Sequence, residues 1–316
     1  MAVTCAACCL AVAFGIMRPA PKFTKFPQYP VIAGTAILAI AVTIAWWSEV
    51  NVSPLFETAM IRRGELWRLI TGIFPHVDIL HLTFNIYWLW VFGTLVEQVY
   101  GHIGTAALIG LFALGSGSLE FAFDLGGVGL SGVVYGLFGL LWVLSRRDDR
   151  FRDAVDKNTV QLFVAWFFFC IAMTAMHISP VGNVAHGSGA VLGLLTATAI
   201  ILPRRRILIA ASICVILLFG LWGSTLGRPR INLSGKAGYE EGKWGYDALV
   251  ANRDLDAARW FGDAVIYQPK LPVYWFDLGI AYQRLGNRTA AQAAYQKAYQ
   301  LEPNEAKYSE ALNALN

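Results

Sequence analysis

Gly129-Leu130-Ser131-Gly132-Val133-Val134-Tyr135-Gly136 sets a serine between glycines at the head of an apolar run. In hydrocarbon no water stands in as a partner, so a hydroxyl there calls for a hydrogen-bonding side chain. His186, in Asn183-Val184-Ala185-His186-Gly187-Ser188-Gly189, also opens an apolar run and is the first candidate. A third stretch, Pro75-His76-Val77-Asp78-Ile79-Leu80-His81-Leu82-Thr83-Phe84-Asn85, adds two histidines and an asparagine. The chemistry of the chain is expected in these three segments.

Around them lies a greasy polypeptide. Of 316 residues, 56% are hydrophobic and only 15% charged, a membrane balance rather than a soluble one. The net charge of +4 is small, but the texture changes along the chain. Up to Arg230 there are 16 Lys and Arg against 11 Asp and Glu, while the last 86 residues hold 9 against 10. No nucleic-acid partner is expected. Cys5, Cys8 and Cys9 cluster near the start without matching His or Cys ligands, and Cys170 and Cys214 sit in apolar segments, so neither a disulfide framework nor a metal site is expected.

Residues 1 to 16 are apolar but short for a span, and they lack the basic leader of a signal peptide. They read as an extension arising from start-site choice, with an additional helix as the alternative. Seven candidate spans follow, at about 31 to 48, 79 to 98, 103 to 120, 129 to 145, 160 to 177, 184 to 203 and 207 to 225. If they alternate, eleven basic residues fall on one face: Arg18, Lys22, Lys25, Arg146, Arg147, Arg150, Arg152, Lys157 and Arg204 to Arg206. Only Arg62, Arg63, Arg68, Arg228 and Arg230 fall on the other, which makes the first face cytoplasmic. Spans two, four and six then begin at the outer face. His81, Asn85, Ser131 and His186 lie in their first two turns and share one depth. The loop from Ser48 to Ile79, carrying Leu66, Trp67, Arg68 and Phe74, suits an element half embedded in the outer interface.

Beyond Gly227, with Pro229 and Gly235 marking a linker, a period of 34 emerges. Trp244 matches Leu278, Gly245 matches Gly279, Ala257 matches Ala291, Phe261 matches Tyr295, Ala264 matches Ala298 and Pro269 matches Pro303. These positions resemble the tetratricopeptide repeat, which uses small residues where its helices approach. Trp275 also fits that pattern. The first of the two repeats is the weaker, with Glu241 and Ala248 departing from it, and residues 305 to 316 are expected to cap the stack. The division expected is therefore 1 to 30 as an N-terminal segment, 31 to 203 as the membrane core and 204 to 227 as a seventh membrane helix. A linker at 228 to 237 and a repeat domain at 238 to 316 complete it. Because the seventh span runs outward, the repeats are expected outside the cytoplasm.

A serine in a membrane helix is usually packing glue bonded to its own backbone, and for Ser131 alone that reading would win. A histidine at the same depth changes the balance, because ionisable groups in a membrane tend to be functional. Gly132 with Gly136, and Gly189 with Gly193, form small-residue faces that let spans four and six approach closely enough for a hydrogen bond from Ser131 to His186. Tyr135, one turn below Ser131, can hold the imidazole by stacking or by hydrogen bonding, or serve only as core. His81 and Asn85, one turn apart, can donate to an oxyanion.

Together these motifs resemble the rhomboid family of intramembrane serine proteases over roughly residues 60 to 200. The match rests on Glu65-Leu66-Trp67-Arg68, His76, His81 with Asn85, Gly129-Leu130-Ser131-Gly132 with Tyr135, and His186 with Gly189 and Gly193. The resemblance implies an all-α membrane protein: a six-helix core, a seventh transmembrane helix and a small α-helical tetratricopeptide-repeat domain, an architecture similar to that of a bacterial subset of the family. It also implies that Ser131 is the nucleophile and His186 its general base, with His81, Asn85 and the Ser131 backbone N–H as the oxyanion hole. No buried acid is required. His76 matches a supporting histidine, and Phe84 with the aromatic run from Trp166 through Phe168 to Phe169 looks like a lateral gate. No cofactor and no metal are implied; the chain has no H-E-x-x-H, and His102 and His177 fall elsewhere.

The partners expected are the lipid bilayer, single-span membrane proteins as substrates, and a protein bound by the repeats. The expected location is a bacterial inner membrane. Two other readings have distinct signatures. A non-catalytic rhomboid-like client binder would lack Ser131 or His186, and a membrane-tethered repeat adaptor would need no polar residues aligned at one depth. A transporter would need more intramembrane charge.

Overall fold

The computed structural model describes residues 21–315, which form helices and turns and no strand. The extension read over residues 1 to 16 lies outside the described residues. Two compact units divide between Leu226 and Gly227. The first unit contains α1 (Pro30–Trp47), α2 (Ile79–Phe123), α3 (Ser131–Leu144), α4 (Lys157–Ala175), α5 (Asn183–Ile201) and α6 (Arg206–Gly223). Such apolar runs become helices in a bilayer because every backbone N–H and C=O must find its partner within the segment. At 18 or 19 residues, α1, α4, α5 and α6 reach roughly 28 Å, about the thickness of the hydrocarbon layer.

α2 joins two segments that the sequence separates at 98 and 103. It is a 45-residue helical element whose one non-helical residue is Gly101, at φ 70° and ψ −178°. A straight rod of that length would extend roughly 68 Å. Yet its two ends meet one loop: His81 lies against Gly129, and Glu120 lies against Gly127. The chain therefore reverses at Gly101, where a positive φ is available to glycine without steric cost. With α2 as two arms, the described residues cross the membrane seven times.

α3 is the axis of this unit. Gly132 to Leu141 are all buried, so its 14 residues are sheathed by protein and need not match the full hydrocarbon thickness. It meets α5 backbone to backbone. A Cβ on Gly189 would collide with the Gly132 carbonyl oxygen, one on Gly193 with the Gly136 oxygen, and one on Gly139 with the Ala190 oxygen. Small residues take these places because dispersion between close backbones is what holds helices together in lipid.

The first turn of α1 is held by a carboxylate from another helix. Tyr29 at the N-cap supplies no side-chain acceptor. Glu97, from the first arm of α2, accepts from Val31 N–H and Ile32 N–H, each at 3.0 Å. His102 Nδ1 stands 2.7 Å from the same carboxylate. Glu97→Ala leaves two enclosed amides without acceptors and is expected to destabilise the membrane unit by about 2 kcal/mol or more, read as a lower unfolding midpoint in detergent. Glu97→Gln keeps one acceptor and should lower the midpoint less; equal midpoints for the parent and the alanine variant would refute the capping role.

The loop between α1 and α2 is built from three short helical turns, Ser53–Leu55, Thr58–Arg63 and Arg68–Thr71. Arg68 is buried there, donating to Glu65 and, at 2.6 Å, to the Ser53 carbonyl, while Leu66 and Trp67 stay exposed.

The second unit consists of α7 (Tyr239–Val250), α8 (Asp254–Tyr267), α9 (Pro272–Arg284), α10 (Arg288–Leu301) and α11 (Ala306–Asn313). The 34-residue period appears as one packing solution used twice. Gly245 abuts the ring of Phe261, and Gly279 abuts the ring of Tyr295. Ala257, Ala291, Ala264 and Ala298 are all fully enclosed between helices. Tyr308 of α11 covers the end, its ring 5.2 Å from that of Phe276. The stretch read as a linker begins with structure, because Arg228–Ile231 is a helical turn and the fully buried Arg228 donates to Glu240 at 2.8 Å.

Candidate active site

Three helix N-termini converge in the first unit: those of α2, α3 and α5. Asp78 caps α2, accepting from Leu80 N–H at 2.9 Å and His81 N–H at 2.8 Å, which fixes the turn that carries His81. Ser131 is the first residue of α3 and is half-buried. Gly129 precedes it at φ 109°, and a Cβ there would stand 2.6 Å from His81 Cε1 and 3.3 Å from His76 Cδ2. Glycine is thus required twice at 129, by backbone conformation and by the two imidazoles on either side.

His76 braces the same loop. Its Nδ1 lies 2.9 Å from the Phe74 carbonyl and 3.4 Å from Thr43 Oγ1. With the proton on Nδ1, Nε2 is free to accept from Leu130 N–H at 3.2 Å. Burial, with His81 alongside, holds the His76 pKa down to about 3, so this neutral tautomer persists across ordinary pH.

His186 lies in the first turn of α5 with 4% of its surface exposed. Tyr135 stacks on it, ring centroids 4.6 Å apart and planes at 21°. The Tyr135 hydroxyl donates elsewhere, to the Phe163 carbonyl at 3.1 Å, so of the two ways it could hold the imidazole the structure uses stacking. Ser131 stands one turn before Tyr135 on α3. No hydrogen bond joins Ser131 to His186 among the described residues.

His81 Nδ1, Asn85 Nδ2 and His186 Nδ1 are buried without a hydrogen-bond partner. Enclosed polar atoms without partners are costly, so these three nitrogens are open to a ligand or a water. Among the described residues no group of His, Cys, Asp or Glu is arranged to hold a metal ion.

Of the aromatics read as a gate, Phe84 and Trp166 touch, with centroids 5.7 Å apart, which closes α2 against α4. Phe168 stands apart, 63% exposed and in ring contact with Phe167. Phe169 instead meets Trp166 at 5.1 Å.

Several contributors escaped the sequence reading: Thr43 on His76, Phe163 on Tyr135, Gly139 in the helix contact, and Glu97 and Glu120. The two carboxylates had a signal, being acids inside apolar segments.

A rhomboid domain family model matches residues 63–227, and a tetratricopeptide repeat model matches residues 272–305. The chain is 28% identical over 261 residues to rhomboid protease GluP of Bacillus subtilis (strain 168), covering 79% of this chain and 48% of that protein. It is 28% identical over 183 residues to rhomboid protease GlpG of Salmonella typhi, covering 56% of this chain and 63% of that protein. The chain thus spans from about half to just under two thirds of the length of these relatives.

Proposed function

The chain belongs to the rhomboid family, and from that membership we propose that it is an intramembrane serine endopeptidase that cuts membrane-protein substrates with a Ser131–His186 dyad. The observation that supports the reading is that His186 stacks on Tyr135, one turn after Ser131 on α3, while His81 is pressed on Gly129, two residues before Ser131.

Ser131 Oγ attacks the scissile carbonyl carbon while His186 takes its proton. The carbonyl π electrons move onto oxygen, and the oxyanion accepts from His81, Asn85 and the Ser131 backbone N–H. Collapse expels the amine, which receives the proton from His186. Water, deprotonated by the same imidazole, then attacks the acyl carbon, and the departing Ser131 Oγ takes that proton back from His186 as the acid is released. A helical substrate hides its carbonyls in its own hydrogen bonds, so the segment cut has to unwind; helix-weakening residues near the outer end of its span favour cleavage. Substrates enter laterally past Phe84 and Trp166.

The eleven basic residues on one face support a cytoplasmic placement of that face, with the site near the outer surface and the repeats outside, in a bacterial inner membrane. The repeats bind a protein, a client or a partner. The test is labelling of the purified full chain with a serine-directed phosphonate, followed by mapping of the modified residue and by cleavage of a single-span reporter in vesicles. Modification of Ser131 together with reporter cleavage is the expected result, and the absence of both overturns the proposal. Truncation after Gly227 removes a separately packed unit, so it should leave the labelling rate within about twofold while altering which membrane proteins are cut. Loss of labelling on truncation would overturn the independence of the two units.

A further inference from the structure

The helix that carries His186 begins without a cap of its own. Gly182 occupies the N-cap of α5 and offers no side chain to the amides ahead of the imidazole, although the first turn of any helix leaves such N–H groups unsatisfied. Glu120, 3% exposed and projecting from the second arm of α2, fills the gap. Its Oε2 accepts from Ala185 N–H at 2.7 Å, and the Val184 N–H also bonds this carboxyl. The same side chain lies against the loop that leads to Ser131. Its Cγ lies 3.8 Å from where a Cβ on Gly127 would stand, in the loop that leads to Ser131. Its Oε2 lies 3.4 Å from the corresponding position on Gly182. Glu120 is therefore wedged between the loop carrying the nucleophile and the first turn of the helix carrying the base.

We propose that Glu120 is a positioning residue for the proposed peptidase, capping α5 from a neighbouring helix and so fixing the His186 imidazole relative to Ser131. No other acceptor reaches Val184 N–H or Ala185 N–H from within α5, because the N-cap is a glycine. Once the cap is removed, the first turn is free to fray, and His186 is the next residue along it. Tyr135 constrains the ring by stacking, but a stacked ring can still slide in its plane. Displacement of a base by about 1 Å costs on the order of 100-fold in rate, so a cap remote from the reacting atoms has a kinetic effect.

The inference rests on the protease reading, and its test separates the two. In full-length protein, Glu120→Gln keeps a carbonyl acceptor and is expected to stay within about threefold of the parent in kcat. Glu120→Ala is expected to lose about 30-fold in kcat, with KM changed less than about twofold, and to slow phosphonate labelling of Ser131 in proportion, at temperatures below its unfolding midpoint. The decisive variant is Glu120→Ala combined with Gly182→Asp. Gly182 has φ −70°, open to any residue, and an aspartate at the N-cap accepts from the same two amides. It should restore at least about tenfold of the lost kcat. A purely structural Glu120 would lower the midpoint and leave labelling at the parent rate in the folded fraction. That result, a glutamine variant as slow as the alanine one, or a folded double variant without recovery would each overturn the proposal. If Glu120→Ala does not fold, recovery of folding and labelling by the double variant supports it, and no recovery overturns it. Should the parent itself show no labelling at Ser131, the protease reading fails.

Discussion

Ser131→Ala is expected to abolish cleavage of a single-span reporter, to at least about 1,000-fold below the parent, and to eliminate covalent labelling by a phosphonate. The effect is expected to be this large because, in the proposed mechanism, the Ser131 hydroxyl forms and breaks the covalent bond, with His186 moving its proton and His81 and Asn85 donating to the oxyanion. The fold is untouched. α3 packs on α5 through Gly132 and Gly136, and Ser131 is half-buried at its start, so the unfolding midpoint of the alanine variant should match the parent. Reporter binding should persist as well, because the hydroxyl is a small part of the surface that holds a transmembrane helix. Cleavage by the Ser131→Ala protein at an appreciable rate would remove the dyad from consideration whatever the family membership.

Gly193→Val is expected to have the second largest effect, on stability and on activity together. A Cβ at 193 would overlap the Gly136 carbonyl oxygen and stand 2.7 Å from the Leu140 amide nitrogen. Both are backbone atoms of α3 and cannot rotate aside, so α5 as a whole has to back away. Overpacking of this kind costs about 1 to 3 kcal/mol in ordinary cores, and here it also separates two helices held by close backbone contact, so a loss of about 3 kcal/mol or more is expected. Because Ser131 rides on α3 and His186 on α5, the same displacement would pull the proposed dyad apart and should cost at least about 100-fold in cleavage. Gly34→Val is the control. Nothing lies within 4 Å of a Cβ there, so only a small change in midpoint and none in kinetics is expected. Unfolding in detergent with cleavage measured in parallel decides the matter, and a Gly193→Val protein with parental midpoint and rate would refute the close-packing account.

The Tyr135 ring shows where reading the chain reached its limit. Its spacing from Ser131 put it on the right face of α3, but whether it would hydrogen-bond or stack depended on Phe163, a residue of α4 that offers its carbonyl to the hydroxyl and leaves the ring face to His186. Spans two and three show the same limit. Hydropathy separated two segments at 98 and 103, and the backbone breaks between them at Gly101; the reversal itself, set by one residue's φ, is what no windowed average resolves. Among the aromatics, composition alone could not rank Phe168 against Phe169, which differ only in which way their side chains leave α4.

The amino-acid sequence by itself determined that the spans between about residues 31 and 225 belong in a bilayer, that a 34-residue repeat follows, and which polar residues stand out in the apolar segments. These properties are local. Transfer free energy accumulates residue by residue, and helical periodicity depends only on neighbours three and four positions away. The tertiary structure alone decided which helix end each buried acid would cap: Glu97 the start of α1, and Glu120 the start of α5. Those contacts link residues about 65 positions apart. A carboxylate in hydrocarbon must find donors, but which backbone passes close enough to supply them is settled only when the helices pack.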